Sequence, residues 1–247
     1  MSCVKRAIIM AAGRGERLRP VTDTVPKPLV PVFGRPMIVS ILEALRAQGI
    51  RETAIVTGYR GEAFSALRKD YPDLTLIENP HWEGTNNISS LYAARDWLPD
   101  SMILDGDQII RNPEALSPDF ERSGYNAIWT DEPTREWVLT LEGEVVTGCS
   151  RTGGPRGWQL FSVSRWSEDD GEQLAEDVTR TWESGRRDVY WDDVPLFLFP
   201  EHYALGIHRM NREDVLEIDS LEELRAVDPA WRAASAEMNG MKGVHEP

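Results

Sequence analysis

The feature that most constrains this chain is an apolar run, Ala7-Ile8-Ile9-Met10, that empties without interruption into a loop at residues 10–29, MAAGRGERLRPVTDTVPKPL. An apolar stretch of this length, bounded by glycine, reads as a strand buried on both faces, and the strand fixes where its loop points. Gly13 and Gly15 permit positive φ and let bare N–H groups approach an anion. Arg14, Arg17, Arg19 and Lys27 supply planar forks and one point charge where phosphate oxygens would lie. Together they describe a polyphosphate cradle, against the plainer reading of a basic surface turn.

Two better-known glycine loops fail on spacing. A dinucleotide fingerprint, G-x-G-x-x-G, would need glycine where Leu18 stands. A Walker loop needs glycine before its lysine and a hydroxyl after it, whereas Lys27 is flanked by Pro26 and Pro28.

The rest of the chain alternates. Pro36 opens a helix with Met37, Ile38, Ile41, Leu42 and Leu45 on one face and Gly49 closing it. A strand (53–56) ending at Gly58, a helix (62–69), a strand (74–78), a helix (90–97) and a strand (102–104) are expected next. This rhythm predicts right-handed βαβ units on a parallel sheet, with ligands gathering beyond the strand ends, where Gly13, Gly58, Asn79 and Asp105 fall. From Gly124 the pattern changes to short strands (125–129, 137–141, 144–147) with turns at Gly143 and Gly153-Gly154, which predicts an antiparallel insert. A helix over 168–187, strands at 203–208 and 215–218 and a helix from Leu221 complete the chain, with no regular structure expected after about Ala234. The expected organisation is one domain over 1–247, with a small acceptor-binding insert around 124–200.

A formal charge of −14 argues against a nucleic-acid surface, which selects basic faces. Two cysteines, Cys3 and Cys149, are too few for a disulfide framework. The first strand has no charged-then-apolar leader, and no apolar run approaches the ~20 residues that span a bilayer. The expected location is the cytoplasm.

The loop as a whole resembles the A-A-G-x-G-x-R-L-x-P-x-T-x-x-x-P-K-P-L signature of nucleotidyltransferases, which join an NTP to a sugar phosphate or a small phosphorylated alcohol. Ala11, Ala12, Gly13, Gly15, Arg17, Leu18, Pro20, Thr22, Pro26, Lys27, Pro28 and Leu29 supply every element. The resemblance implies a Rossmann-like α/β fold: a mainly parallel sheet, helices on both faces and the small insert. It further implies that residues 11–15, Arg14 included, wrap the nucleotide phosphates, that Arg17 touches the outgoing pyrophosphate and that Lys27 stabilises the reacting α-phosphate.

Three further stretches carry chemistry. Asp105-Gly106-Asp107 ends a strand with two acids, and a hard cation such as Mg²⁺ takes one or two carboxylates plus substrate oxygens. A turn or cap would use the same residues, but in the resembling family the second acid holds Mg²⁺, which makes Asp107 the first expected ligand. In Glu217-Ile218-Asp219-Ser220, alternation puts both acids on one face. Asp219 could instead cap the helix at Leu221; resemblance to the choline-phosphate branch assigns Glu217 and Asp219 to the metal. Asn86, Asn87 and Ser90 carry donors and acceptors suited to a pyrimidine edge, and N-N-x-x-S-L-Y after Asn79-Pro80 resembles the cytosine-recognising segment of the LicC-type phosphocholine group.

The acceptor pocket is read from Glu136-Trp137, Trp158 and Tyr190-Trp191-Asp192-Asp193, aromatic faces and carboxylates of the kind an organic ammonium attracts. Y-W-D-D also resembles the Y-W-D-[ND] stretch of that group. The expected partners are CTP and phosphocholine or 2-aminoethylphosphonate, without nucleic acid or membrane, and with a homodimer left open. Asp193, where the group allows Asn, tilts the expectation towards the primary amine. The competing readings are a sugar-1-phosphate nucleotidyltransferase and a nucleotide-binding module without turnover.

Overall fold

The computed structural model describes residues 1–233. The expectation for the tail after Ala234 falls outside them. Strands β1 (Arg6–Ala11), β2 (Glu52–Thr57), β3 (Thr75–Glu78) and β4 (Ser101–Asp105) lie in the order β4-β1-β2-β3, every pairing parallel. Alternation along β1 divides the core. Ala7, Ile9 and Ala11 pack with Ile38, Ile41 and Leu45 of α1 (Met37–Ala47) and with Phe64 of the 3₁₀ segment Gly61–Lys69. Ile8 and Met10 pack on the opposite face with Ile88 and Leu91 of α2 (Ile88–Ala93) and Leu174 and Val178 of α3 (Glu168–Glu183). Both faces are therefore covered, as buried parallel strands require.

The second half continues the same sheet. After β5 (Gln108–Ile110) come β6 (Gly124–Thr130), β7 (Val138–Glu142), β8 (Val145–Ser150), β9 (Gly157–Trp166), β10 (Gly206–Arg209) and β11 (Val215–Glu217). The ten-residue β9 pairs antiparallel with β4, β6 and β7, while β8 extends the edge from β7 and β10 lies parallel to β6. The strands expected as an insert are thus hydrogen-bonded through β9 to the parallel half.

Several boundaries differ from the sequence expectations. β9 was not anticipated. α3 stops at Glu183 and not at Arg187 because Gly185 takes a φ of 87°, a left-handed stop. The helix expected from Ser90 begins at Ile88 and ends at Ala93 before a separate 3₁₀ turn, Arg95–Trp97. Among the described residues no helix is long and apolar enough to cross a membrane.

Candidate active site

The loop after β1 runs through three 3₁₀ turns, Glu16–Leu18, Val21–Asp23 and Lys27–Leu29. Leu18 anchors it, fully buried with Val30, Val32, Met37 and Ile218. Gly15 has a φ of 66°, and a Cβ there would lie 2.9 Å from Lys27 Cβ, so a larger residue would displace the lysine. Thr22 Oγ1 donates to Gly15 O at 2.9 Å and the Tyr59 hydroxyl donates to Thr22 O at 2.8 Å. Gly58 brings β2 against the loop: its missing Cβ would meet Ala12 O at 2.8 Å, and Tyr59 N–H donates to that oxygen at 3.0 Å. The Arg14 guanidinium lies 5.5 Å from the Tyr59 ring centroid.

The acids are assembled by a two-stranded ribbon. β5 and β11 pair antiparallel with Glu217 opposite Gln108, and Ile218 N–H donates to Asp107 O at 3.3 Å. Ligand oxygens of Asp107, Glu217 and Asp219 lie within 4.8 Å of one another. Ser220, and not Asp219, caps α4 (Leu221–Val227): its side chain accepts Glu223 N–H while Glu223 reaches back in a capping box. Asp219 is left free for the cleft, where it pairs with Arg17 at 2.8 Å and with Lys27 at 2.8 Å. Lys27 also donates to Asp107 at 2.5 Å.

Electrostatics mark this cluster as strained. Burial disfavours the Lys27 ammonium, but Asp107 and Asp219 outweigh it and raise the ammonium above its ordinary range. Burial, then repulsion by Asp107, pushes Asp105 up to about 7. Glu217 is raised well above the carboxylate range by burial and by both neighbouring acids. Asp107 Oδ1 is buried without a hydrogen-bond partner. Three hard oxygen donors, one of them orphaned, fit a small divalent cation.

Ala11, Ala12, Gly13, Gly15, Arg17, Lys27, Asn87, Ser90, Asp105, Asp107 and Asp219 line one cleft of about 240 Å³. In the segment read as contacting the base, the oxygens are already engaged. Asn87 Oδ1 accepts Trp191 N–H at 2.7 Å, Ser90 Oγ accepts from Asn79 Nδ2 at 3.0 Å, and Asn86 Oδ1 accepts Asn87 N–H at 2.7 Å. Asn87 and Ser90 line the cleft and Asn86 does not.

A second cavity, about 190 Å³, adjoins the first through shared Asn87 and Asp105, and is otherwise lined by Glu136, Trp137, Leu160, Ser162, Tyr190, Asp192 and Glu217. Trp137 and Tyr190 meet edge-on with centroids 5.8 Å apart. Burial, then repulsion by Asp105, raises the Asp192 carboxyl well above its usual range.

Three residues read into this pocket lie elsewhere. Trp191 is 2% exposed, stacked on Tyr125 and edge-on to Trp166 in the core. Trp158 packs against Trp129 and beneath Arg209. Asp193 is engaged by Arg151 and by the Tyr190 N–H. Leu160 and Ser162 were missed because β9 was missed; residues 157–163, GWQLFSV, are rich in aromatic and β-branched residues, but adjacent Leu160 and Phe161 break the period-two pattern that would have marked a strand. A larger groove of about 420 Å³ beside Phe33 and Met37 contains none of the loop glycines or clustered acids.

The nucleotidyl transferase family model matches residues 6–128, which span the loop, β1 to β5 and the first acid. The 2-aminoethylphosphonate cytidylyltransferase of Lancefieldella rimae is 36% identical over 94% of this chain and 98% of its own. The choline-phosphate cytidylyltransferase of Streptococcus pneumoniae is 30% identical over 90% of this chain and 96% of its own. The solved structure of the S. pneumoniae CTP:phosphocholine cytidylyltransferase (LicC) matches with a TM-score of 0.85 at 29% identity, over 92% of this chain and 99% of that one. The chain belongs to the nucleotidyl transferase family and is an enzyme of that family.

Proposed function

We propose that this enzyme is a cytidylyltransferase that joins CTP to a small ammonium-bearing phosphonate or phosphate, releasing pyrophosphate and the CMP-linked product. The observation that carries the reading is the pair of adjoining cavities, one walled by the glycine loop, Lys27 and the acids, the other by aromatic rings and carboxylates, with Asn87 and Asp105 common to both. A phosphonate oxygen is already anionic near neutral pH, so the reaction needs alignment and charge neutralisation and no general base. The N–H groups of residues 11–15 hold the triphosphate; Arg14, which lies against Tyr59 and is absent from the cleft lining, adds only charge. Lys27 faces the α-phosphate and Arg17 the outgoing pyrophosphate. Asp107, Glu217 and Asp219 would hold Mg²⁺, which when bound would neutralise phosphate charge as the acceptor oxygen attacks the α-phosphorus and pyrophosphate leaves.

Selection of cytosine follows from what the base-side segment has left to offer. With its oxygen held by the Trp191 N–H, Asn87 has its amide N–H left to donate, and Ser90, accepting from Asn79, keeps its hydroxyl proton to donate as well. Cytosine offers acceptors at O2 and N3, whereas uracil turns a donor at N3 towards them.

For the acceptor, the reading is 2-aminoethylphosphonate. Trp137 and Tyr190 furnish only two aromatic walls, while Glu136, Asp192 and Asp105 surround them with carboxyl groups not assigned to the metal. A primary ammonium loses hydration that carboxylates replace, and its approach favours their charged forms; a trimethylammonium is best served by aromatic walls on more sides. Asp193 does not carry this choice, since it is held by Arg151. The Trp137–Tyr190 corner favours phosphocholine as the second reading. A sugar phosphate brings no cation to face these carboxyl groups and the Trp137–Tyr190 corner. Pyrophosphate release with CTP and each acceptor tests the assignment: a higher kcat/KM for phosphocholine reverses the acceptor, and no turnover with either refutes the reaction.

A further inference from the structure

Arg151 follows β8 in the chain and is absent from the lining of both cavities. Its guanidinium carbon lies 4.1 Å from the Phe197 ring centroid and 5.6 Å from that of Trp137. It pairs with Oδ1 of Asp193, whose Oδ2 accepts the Tyr190 N–H at 3.0 Å. Phe197 and Trp137 also meet edge-on with centroids 5.8 Å apart. A single carboxylate therefore ties the cation lying against Trp137 to the backbone of Tyr190. We propose that Arg151, acting through Asp193, is a positioning residue that sets the corner between Trp137 and Tyr190 and with it the affinity for the acceptor; the proposal rests on the reading that these rings line the acceptor pocket.

The physical case has three parts. Tyr190 is 49% exposed and Trp137 is only half-buried, so core packing does not by itself fix the two rings. A bare guanidinium beside a pocket for an ammonium would repel the substrate; Asp193, nearly buried, cancels that charge and so belongs with the arginine and not with the acceptor. The planar guanidinium also packs on ring faces in a way an ammonium cannot, so lysine preserves the ion pair but not the stacking. The Arg151 side chain is 48% exposed but that of Asp193 only 5%, so Arg151→Met leaves a buried carboxylate without its cation and lowers stability as well as changing local geometry, whereas Arg151→Lys keeps the charge in place.

The test is steady-state kinetics on the unmodified enzyme, Arg151→Met, Arg151→Lys and Trp137→Ala, varying 2-aminoethylphosphonate at saturating CTP and then CTP at saturating acceptor. Arg151→Met is expected to raise the acceptor KM about tenfold while kcat and the CTP KM stay within about twofold, and Arg151→Lys is expected to fall between. If Trp137→Ala raises the acceptor KM and Arg151→Met does not, the positioning role is wrong and the acceptor reading stands. A CTP KM that rises as much as the acceptor KM shows a general structural role and overturns the proposal. If Trp137→Ala leaves the acceptor KM unmoved, the acceptor reading falls and takes this proposal with it. Should Arg151→Met fail to fold, Arg151→Lys decides on the same split between the two KM values.

Discussion

Replacing Lys27 by methionine removes one ammonium while keeping most of its stem. The group lost is only 9% exposed and lies 2.5 Å from Asp107 and 2.8 Å from Asp219. A single charge aimed at the transition state is worth roughly 100- to 1000-fold in kcat, so saturating-substrate assays are expected to show a fall of that size. Breaking a fully buried ion pair costs about 3–5 kcal/mol. Here Asp107 and Asp219 are 20% and 29% exposed and Arg17 stays on Asp219, so a loss of about 1–2 kcal/mol is expected. For a chain of this size that is a drop of about 2–8 °C in Tm, leaving the variant folded at assay temperature. The pH dependence follows from the sign of the shift. The folded pKa of Lys27 lies above its ordinary value, so its contribution is fully present below about pH 10 and disappears only as pH rises through the folded value. Lys27 itself therefore stays charged throughout about pH 6.5 to 9 and is not the source of any pH dependence of kcat in that window. A folded variant within about tenfold of wild-type kcat would remove Lys27 from the chemistry.

Asp107→Asn and Asp219→Asn are each expected to raise the Mg²⁺ concentration for half-maximal rate, since an amide keeps an oxygen but loses the charge; unchanged titrations in both would dismiss the acid cluster as a metal site. CTP is expected to exceed UTP in kcat/KM by about five- to 150-fold, from about 1–3 kcal/mol for the one mispaired N3 contact, and equal values would refute the donor arrangement of Asn87 and Ser90. Trp191→Ala is expected to cost about 3–5 kcal/mol of stability because that ring is core, while Tyr190→Ala leaves Tm nearly unchanged and raises the acceptor KM; denaturant melts showing the reverse order would contradict the placement of the two rings.

What was legible in the sequence is what is chemically local. Glycines, arginines and a lysine share one loop, so their meeting required no knowledge of tertiary pairing, and the alternation of apolar runs exposed the parallel sheet. The pairing of β5 with β11 was not legible, because register between distant strands is set by the whole packing. Asp219 looked as well suited to capping as to the cleft until Ser220 was seen to cap α4. Tyr190-Trp191-Asp192-Asp193 misled for a related reason. The segment turns outside any regular strand, so no period told which residues face inward; Trp191 entered the core, Asp193 turned to Arg151, and Tyr190 and Asp192 reached the cavity.

Asn87 lines both cavities. Its carboxamide oxygen holds the backbone of Trp191, next to Tyr190, while its N–H groups remain for the base. A nucleotide that orders this amide also orders the wall against which the second substrate rests, so the two ligands are expected to bind synergistically, each tightening the other by the same factor. Calorimetric titration of acceptor into the enzyme, alone and then saturated with an unreactive CTP analogue, measures that factor; identical dissociation constants would mean that Asn87 transmits nothing.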